Sequence, residues 1–203
     1  MVETSLRERS KARRRSAIQR AAFRLFAERG YDATTIADIA AAAEVAPRTI
    51  AGYFASKQDI ALSRTSEAAE ELTALMEVRT AGESVTAVLR QWLTERMARM
   101  ALLDQAEPPG EDGIRVLSHR MFQANPDLRA LQATRLTPVV RAGAAAIADD
   151  IGGAADDPGP RIAATAIAAV LLEIADGPLD DRHDEAVAAA LDFIEAGVGA
   201  LRC

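Results

Sequence analysis

The chain has 203 residues, 49% of them hydrophobic and 4% aromatic, with a formal net charge of −6. That length can bury one sizeable core or two modest ones. The single cysteine, Cys203, is the last residue, which excludes an intrachain disulfide framework or a thiolate metal site. No apolar run approaches ~18 residues, and the basic N-terminus lacks a following apolar segment, so a cytosolic protein with no membrane partner is expected.

Strand-favouring runs are absent, while alanine and leucine recur at helical spacing, so the fold class is all-α. The charge is unevenly divided. Residues 1–64 carry 12 basic and 7 acidic side chains, net +5, whereas residues 65–203 carry 12 and 23, net −11. A basic head on an acidic body suits either a polyanion partner for the head or a merely solvated basic face.

In chain order, residues 1–15, MVETSLRERSKARRR, show no apolar period and read as a basic flexible arm. Ile18, Ala21, Ala22, Leu25 and Phe26 then follow the spacing of a one-faced helix, which Gly30 stops by accepting positive φ. Thr35 opens a second helix, with Asp38 placed to complete a capping box. Ile36, Ile39, Ala40 and Ala43 form its inner side. After a turn at Glu44 and Val45, a third short helix starts at Pro47, which suits the first helical position, and runs to Phe54. Ser56-Lys57-Gln58-Asp59 is a further helix start, opening a longer helix to about Arg79. Five more helices follow, with breaks at Gly82, 108–113, Asn125-Pro126, 152–160 and Gly177-Pro178. The expected division is an arm (1–15), a helix-turn-helix head (16–60) and a helical body (61–203), about nine helices in all.

Two short helices joined by a tight turn can place the second in the DNA major groove. Ala40 and Ala43 allow close approach, Val45 plugs the turn, and Ile50 and Phe54 face inward. Arg48 and Gly52 share the opposite face, with Pro47 and Ala51 beside them. Arg48 can offer a bidentate fork to guanine, and Pro47 and Ala51 an apolar contact to a thymine methyl, while Gly52 permits close backbone approach. Thr35, Thr49, Tyr53, Ser56 and Lys57 are candidates for phosphate contact, which positions the protein without reading sequence. Singly, each residue has a plainer reading: Arg48 as a solvated helix residue, Thr35 and Ser56 as caps, Tyr53 as packing.

The segment AIQRAAFRLFAERGYDATTIADIAAAAEVAPRTIAGYFASKQDIA (17–61) closely resembles the DNA-binding domain of the tetracycline-repressor (TetR) family of bacterial transcription regulators. The resemblance rests on AAFRLFAERGYDATTIADIA, VAPRT and YFASKQD, in order and at the right gaps. It implies that three N-terminal helices and the start of the fourth bind a double-stranded DNA operator. It further implies that the body forms a homodimer and binds a small effector whose presence lowers operator affinity. Three positions depart from the family pattern. Glu44 stands where glycine is common, Ala46 replaces a serine N-cap, and Ala51 replaces an aromatic residue.

In the body, Val187, Leu191, Ile194, Val198 and Leu201 are spaced 4, 3, 4, 3, and Ala163, Ile167, Val170 and Ile174 are spaced 4, 3, 4. These stripes suit either a four-helix dimer interface or packing inside one chain. Leu89, Trp92, Arg96 and Met100, with Met121 and Phe122, can line an apolar effector cavity with Arg96, His119 or Arg99 as polar anchors, or can be ordinary core. His119 and His183 lack metal-ligand spacing, and no catalytic constellation is present, so neither enzyme activity nor a metal or cofactor is expected. A helical protein-interaction adaptor and a nonspecific DNA binder are the rival readings.

Overall fold

The computed structural model describes residues 6–80, 82–106, 113–154, 156–176 and 183–201. The described residues form helices and no strand: α1 (Leu6–Arg29), α2 (Ile36–Ala42), α3 (Pro47–Ala51), α4 (Lys57–Ala61), α5 (Ser63–Val78), α6 (Val85–Ala106), α7 (Ile114–Ala124), α8 (Pro126–Thr134), α9 (Thr137–Ile151), α10 (Pro158–Asp176) and α11 (His183–Ala200). They divide into two compact units. The first holds residues 6–63 and 113–129, and the second holds 64–106 and 130–201. The fold class is the one expected from composition. The expected breaks at 108–112 and Gly177-Pro178, and residues 1–5 of the arm, lie outside the described residues.

The first unit is built around α1. Its stripe is wide, with Ile18, Ala22, Phe23, Leu25 and Phe26 all buried. The short helices α2 and α4 pack on it, and α7 packs on it as well, adding Leu117, Met121 and Phe122 to the same core. The head is therefore larger than a linear cut at residue 60 suggests. A helix flanked by apolar residues on more than one side needs a second cover, and α7 supplies it. Asn125 fastens the two: its Nδ2 donates to the Phe26 and Met121 carbonyls at 3.0 and 2.7 Å, and its Oδ1 accepts from the Tyr31 N–H at 2.7 Å.

Two boundaries differ from the sequence reading. Helix α1 begins at Leu6, so residues 6–15 are helical rather than an unstructured arm. They contain no glycine or proline and consist largely of strong helix formers, so a helix nucleated on the core propagates outward through them. The fourth helix is split into α4 and α5 at Leu62 and Ser63. There the Ser63 hydroxyl donates to the Ile60 carbonyl at 2.7 Å and accepts from Gln19 Nε2 at 2.8 Å, the kind of side-chain back-bonding that bends helices.

In the second unit, Leu72 and Met76 of α5, Leu89, Trp92 and Leu93 of α6, Val139 and Ile147 of α9, Ile167 of α10 and Leu191 of α11 share one core. A polar tie closes one end of it. Arg79, just past α5, donates to Asp150 of α9 and to the Ala146 carbonyl, while the other Asp150 oxygen accepts the Val85 N–H that starts α6. The paired side chains are 9% and 8% exposed, so two charges are removed from water and matched. Helix α10 departs from one expectation. Pro158–Ala175 is 18 residues with mean hydropathy 1.3 and 22% of it buried, long and apolar enough by length and composition to cross a membrane. Arg161 and Glu173 interrupt it, and one side packs into the core through Ala164, Ile167 and Ala168.

Candidate nucleic-acid interface

Each short helix of the head is fixed at its ends by local chemistry. Thr35 caps α2: its hydroxyl accepts from the Asp38 N–H at 3.1 Å, and the Asp38 carboxylate accepts from the Thr35 N–H at 2.9 Å. The same carboxylate also accepts a hydrogen bond from the Thr35 hydroxyl, and these bonds hold Asp38 below the usual carboxylate pKa range. Ser56 caps α4, accepting from the Asp59 N–H at 3.0 Å. Ala46, at the start of α3, offers no side-chain cap, and Pro47 occupies the first turn, where a missing N–H costs nothing.

The turn between α2 and α3 is a Schellman motif. The Val45 N–H reaches the Ala40 carbonyl at 2.9 Å, and the Glu44 N–H reaches Ala41 at 3.2 Å. This geometry requires the left-handed conformation at Glu44, whose φ is 54°, and Glu44 is the one non-glycine residue with positive φ among the described residues. Half-buried Val45 packs on the core beneath the turn. At the far end of α3, Ile50 and Phe54 are buried, and the Arg15 guanidinium lies 4.4 Å from the Phe54 ring while donating to the Tyr53 carbonyl at 3.1 Å.

On this frame Pro47, Arg48, Ala51 and Gly52 are all exposed and share the outer side of α3. The Arg48 guanidinium makes no hydrogen bond or ion pair among the described residues. Gly52 has helical φ, and a Cβ there would meet only the Thr49 carbonyl, at 3.4 Å, so its use is as a small residue rather than a conformational one. Thr49 and Tyr53 are half-buried at the rim, and Ser56 is exposed. The Tyr53 hydroxyl has no partner among the described residues.

Lys57 has a different task from the expected one. Its ammonium donates to the carbonyls of Tyr31 at 2.8 Å and Thr34 at 2.9 Å, lies 3.5 Å from that of Asp32, and sits 4.2 Å from the Tyr31 ring centre. With its donors aimed at the α1–α2 connection, it is a clamp on that turn, not a free phosphate ligand. Burial pushes the Tyr31 phenol up, with Asp32 and Asp59 adding to the effect. Neither Lys57 nor Arg15 stood out from the sequence as a positioning group. The carbonyl partners of Lys57 lie more than twenty residues away, and no spacing rule reports such a contact.

The expected effector residues are divided between the two units. Leu89, Trp92 and Arg96 belong to the second unit, whereas His119, Met121 and Phe122 belong to the first, where Met121 and Phe122 are buried in the head core. The Met100 side chain lies outside the described residues. Arg96 and Arg99 both bond Glu71, at 3.1 and 3.0 Å, and Trp92 Nε1 donates to the same carboxylate at 3.2 Å. Burial lowers the Arg96 pKa, with Glu71 opposing that shift. Both arginines expected as polar anchors are thus already paired with Glu71.

The expected dimer stripe is likewise core. Val187, Leu191, Ile194 and Val198 of α11 and Ile167 of α10 are buried within the chain itself, and Ala163, Val170 and Ile174 pack against them half-buried. The 4, 3 spacing marks a helix-packing seam without telling whose helix fills it. The outer sides of α10 and α11 instead expose Ile162 at 68% and Phe193 at 67%.

Residues 18–63 match the model for bacterial regulatory proteins of the tetR family. Over 126 residues the chain is 36% identical to the HTH-type transcriptional regulator TcmR of Streptomyces glaucescens, a stretch that is 62% of this chain and 54% of that protein. The chain thus spans about half the length of this curated relative. A crystal structure from Mesorhizobium loti, assigned to the TetR-family transcriptional regulators, shares the fold with a TM-score of 0.51 at 21% identity, covering 93% of this chain and 96% of that one.

Proposed function

Because the chain belongs to the tetR family of bacterial regulatory proteins, we propose that it regulates transcription in the cytoplasm by binding duplex DNA sequence-specifically, as a repressor. The observation that carries this reading is the exposed, unengaged Arg48 on a short helix fixed at both ends. Arg48 pairs with a guanine edge, Pro47 and Ala51 contact methyl groups, and Gly52 lets the backbone approach the bases. Thr49, Tyr53 and the Ser56 end of α4 take phosphates, and the Thr35 end of α2 joins them through its backbone, its hydroxyl being engaged by Asp38.

A homodimer reads a palindromic operator, with its reading helices about one DNA turn (~34 Å) apart. Its contact is the outer side of α10 and α11, where exposed Ile162 and Phe193 stand among exposed alanines and glycines that permit close approach. A small, largely apolar effector binds the second unit and releases the DNA. Thr73 Oγ1 of that unit is buried without a hydrogen-bond partner among the described residues, which suits an effector carrying a hydrogen-bonding group.

Selection of bound duplexes from a random pool tests the reading. The wild type recovers one palindromic motif, and its complex sediments as two chains per duplex. Arg48→Ala costs ~1–3 kcal/mol on that motif and relaxes the preference at one base position per half-site. Recovery of no motif at low ionic strength overturns the proposal. A thermal-shift screen in which Thr73→Val leaves every stabilising compound equally effective removes the effector assignment.

A further inference from the structure

We propose that the exposed N-terminal part of α1, residues 6–14, is a second DNA-contacting surface that lays Arg7, Lys11 and Arg14 against phosphates flanking the bases read by α3. The inference rests on the DNA-reading role of α3 and extends it to a part of the chain outside the matched residues 18–63.

The placement follows from one ridge of α1. Residues four apart on a helix lie one above another, so Phe23, Gln19, Arg15, Lys11 and Arg7 form a row. Phe23 is in the core, Gln19 bonds Ser63, and Arg15 lies on Phe54 and the Tyr53 carbonyl at the end of α3. The row thus runs from the core to the rim of the reading helix. Lys11 and Arg7 continue it one and two turns further out, with Arg14 adjacent to Lys11. At 1.5 Å per residue the overhang from Arg15 to Arg7 is about 12 Å, long enough to follow the DNA backbone past several phosphates.

The chemistry of the overhang is that of a polyanion ligand. From Leu6 to Ala27 the helix carries Arg7, Arg9, Lys11, Arg13, Arg14, Arg15, Arg20 and Arg24 against Glu8 alone. Arg7, Lys11 and Arg14 are exposed and make no hydrogen bond or ion pair among the described residues. An apolar partner is excluded by the absence of any apolar stripe beyond Leu6 on this stretch. A duplex already held by α3 presents phosphates next to the Arg15 end of the row.

The test uses full-length protein and the duplex recovered by selection, with affinity measured across a salt series. Each phosphate contact contributes about 0.9 to the slope of log affinity against log salt. Arg7→Gln/Lys11→Gln/Arg14→Gln is expected to flatten the slope by about 2.7 per head. Between about 50 and 200 mM salt, the wild type then loses roughly 40-fold more affinity per head than the variant. The selected motif stays the same, and ethylation interference at phosphates outside the motif disappears. Arg9→Gln/Arg13→Gln, on the other side of the helix, keeps the wild-type slope, and circular dichroism verifies that both variants are folded. An unchanged slope in the triple variant, or an equal loss per residue in the control, overturns the proposal. If Arg48→Ala still relaxes the motif in that case, the reading of α3 stands and only the second surface fails. Loss of binding to anionic vesicles or RNA without any change on the duplex also refutes it.

Discussion

In the first unit α2, α3 and α4 are 7, 5 and 5 residues long, too short to persist alone. Each is held by chemistry at its ends: a capping box at Thr35, a Schellman turn at Glu44, a Ser56 cap, the Arg15 contact at Tyr53 and the Lys57 clamp. In the second unit α6, α9, α10 and α11 run 22, 15, 19 and 18 residues and are held mainly along their lengths by an alanine-rich core. Its main buried polar tie is Arg79–Asp150. A surface that must present a few side chains in fixed positions needs end control. Long, smooth helices packed along their lengths can slide past one another, which suits the effector response proposed for the body.

The sharpest way to break the contrast is to remove the one strong end tie of the second unit. Asp150→Ala leaves buried Arg79 with only the exposed Asp149 carboxylate, 3.6 Å away, and two backbone carbonyls, and it uncaps α6. We expect a loss of about 3–5 kcal/mol in urea unfolding, the range for breaking a buried ion pair from one side. A loss below ~1 kcal/mol, the worth of an exposed pair, would mean that the core alone holds these helix ends.

Next in size is Lys57→Met, which keeps the stem and removes the ammonium. Hydrogen bonds from a charged donor contribute roughly 1.5–3 kcal/mol, and the loss should fall on the first unit. DNA affinity should drop on selected and random duplexes alike, through a loosened α1–α2 connection, while the salt slope stays that of the wild type. A slope lower by about one would instead mean that Lys57 leaves the clamp and reaches a phosphate.

The same contrast explains what is legible in the sequence. Thr35-x-x-Asp38, Ser56-x-x-Asp59, Pro47 and Gly30 are local signals whose partners sit within four residues, so residue order by itself bounds the head's helices. The reach of Lys57 to Thr34, of Arg15 to Tyr53 and of Asn125 to Phe26 is nonlocal, and composition carries no trace of it. The extent of α1 is hidden because its first ten residues have no apolar period, although their helix propensity is high. In the body, periodicity identifies the inner stripe of α11 correctly as a seam. Val187, Leu191, Ile194 and Val198 would look the same facing their own chain or a copy. Only the burial of that stripe distinguishes it from the exposed side of α11 that carries Phe193.

The smallest expected effect tests the end-control argument at its most specific point. Glu44 holds a left-handed conformation that costs a residue with a Cβ about 1–2 kcal/mol, while glycine gives back part of that gain through its larger unfolded-state entropy. Glu44→Gly should therefore stabilise the chain by roughly 0.5–1 kcal/mol, measured as a raised urea midpoint at unchanged slope. Glu44→Ala removes the same charge but keeps the Cβ, so it should show none of that gain. If both substitutions raise the midpoint equally, the carboxylate and not the backbone is the source. The strain would then have no place in the account of how the turn sets the angle between α2 and α3. If only glycine does so, the turn carries strain that the packing of Val45 and the two Schellman bonds hold in place, and the reading helix keeps its position in spite of its uncapped start at Ala46.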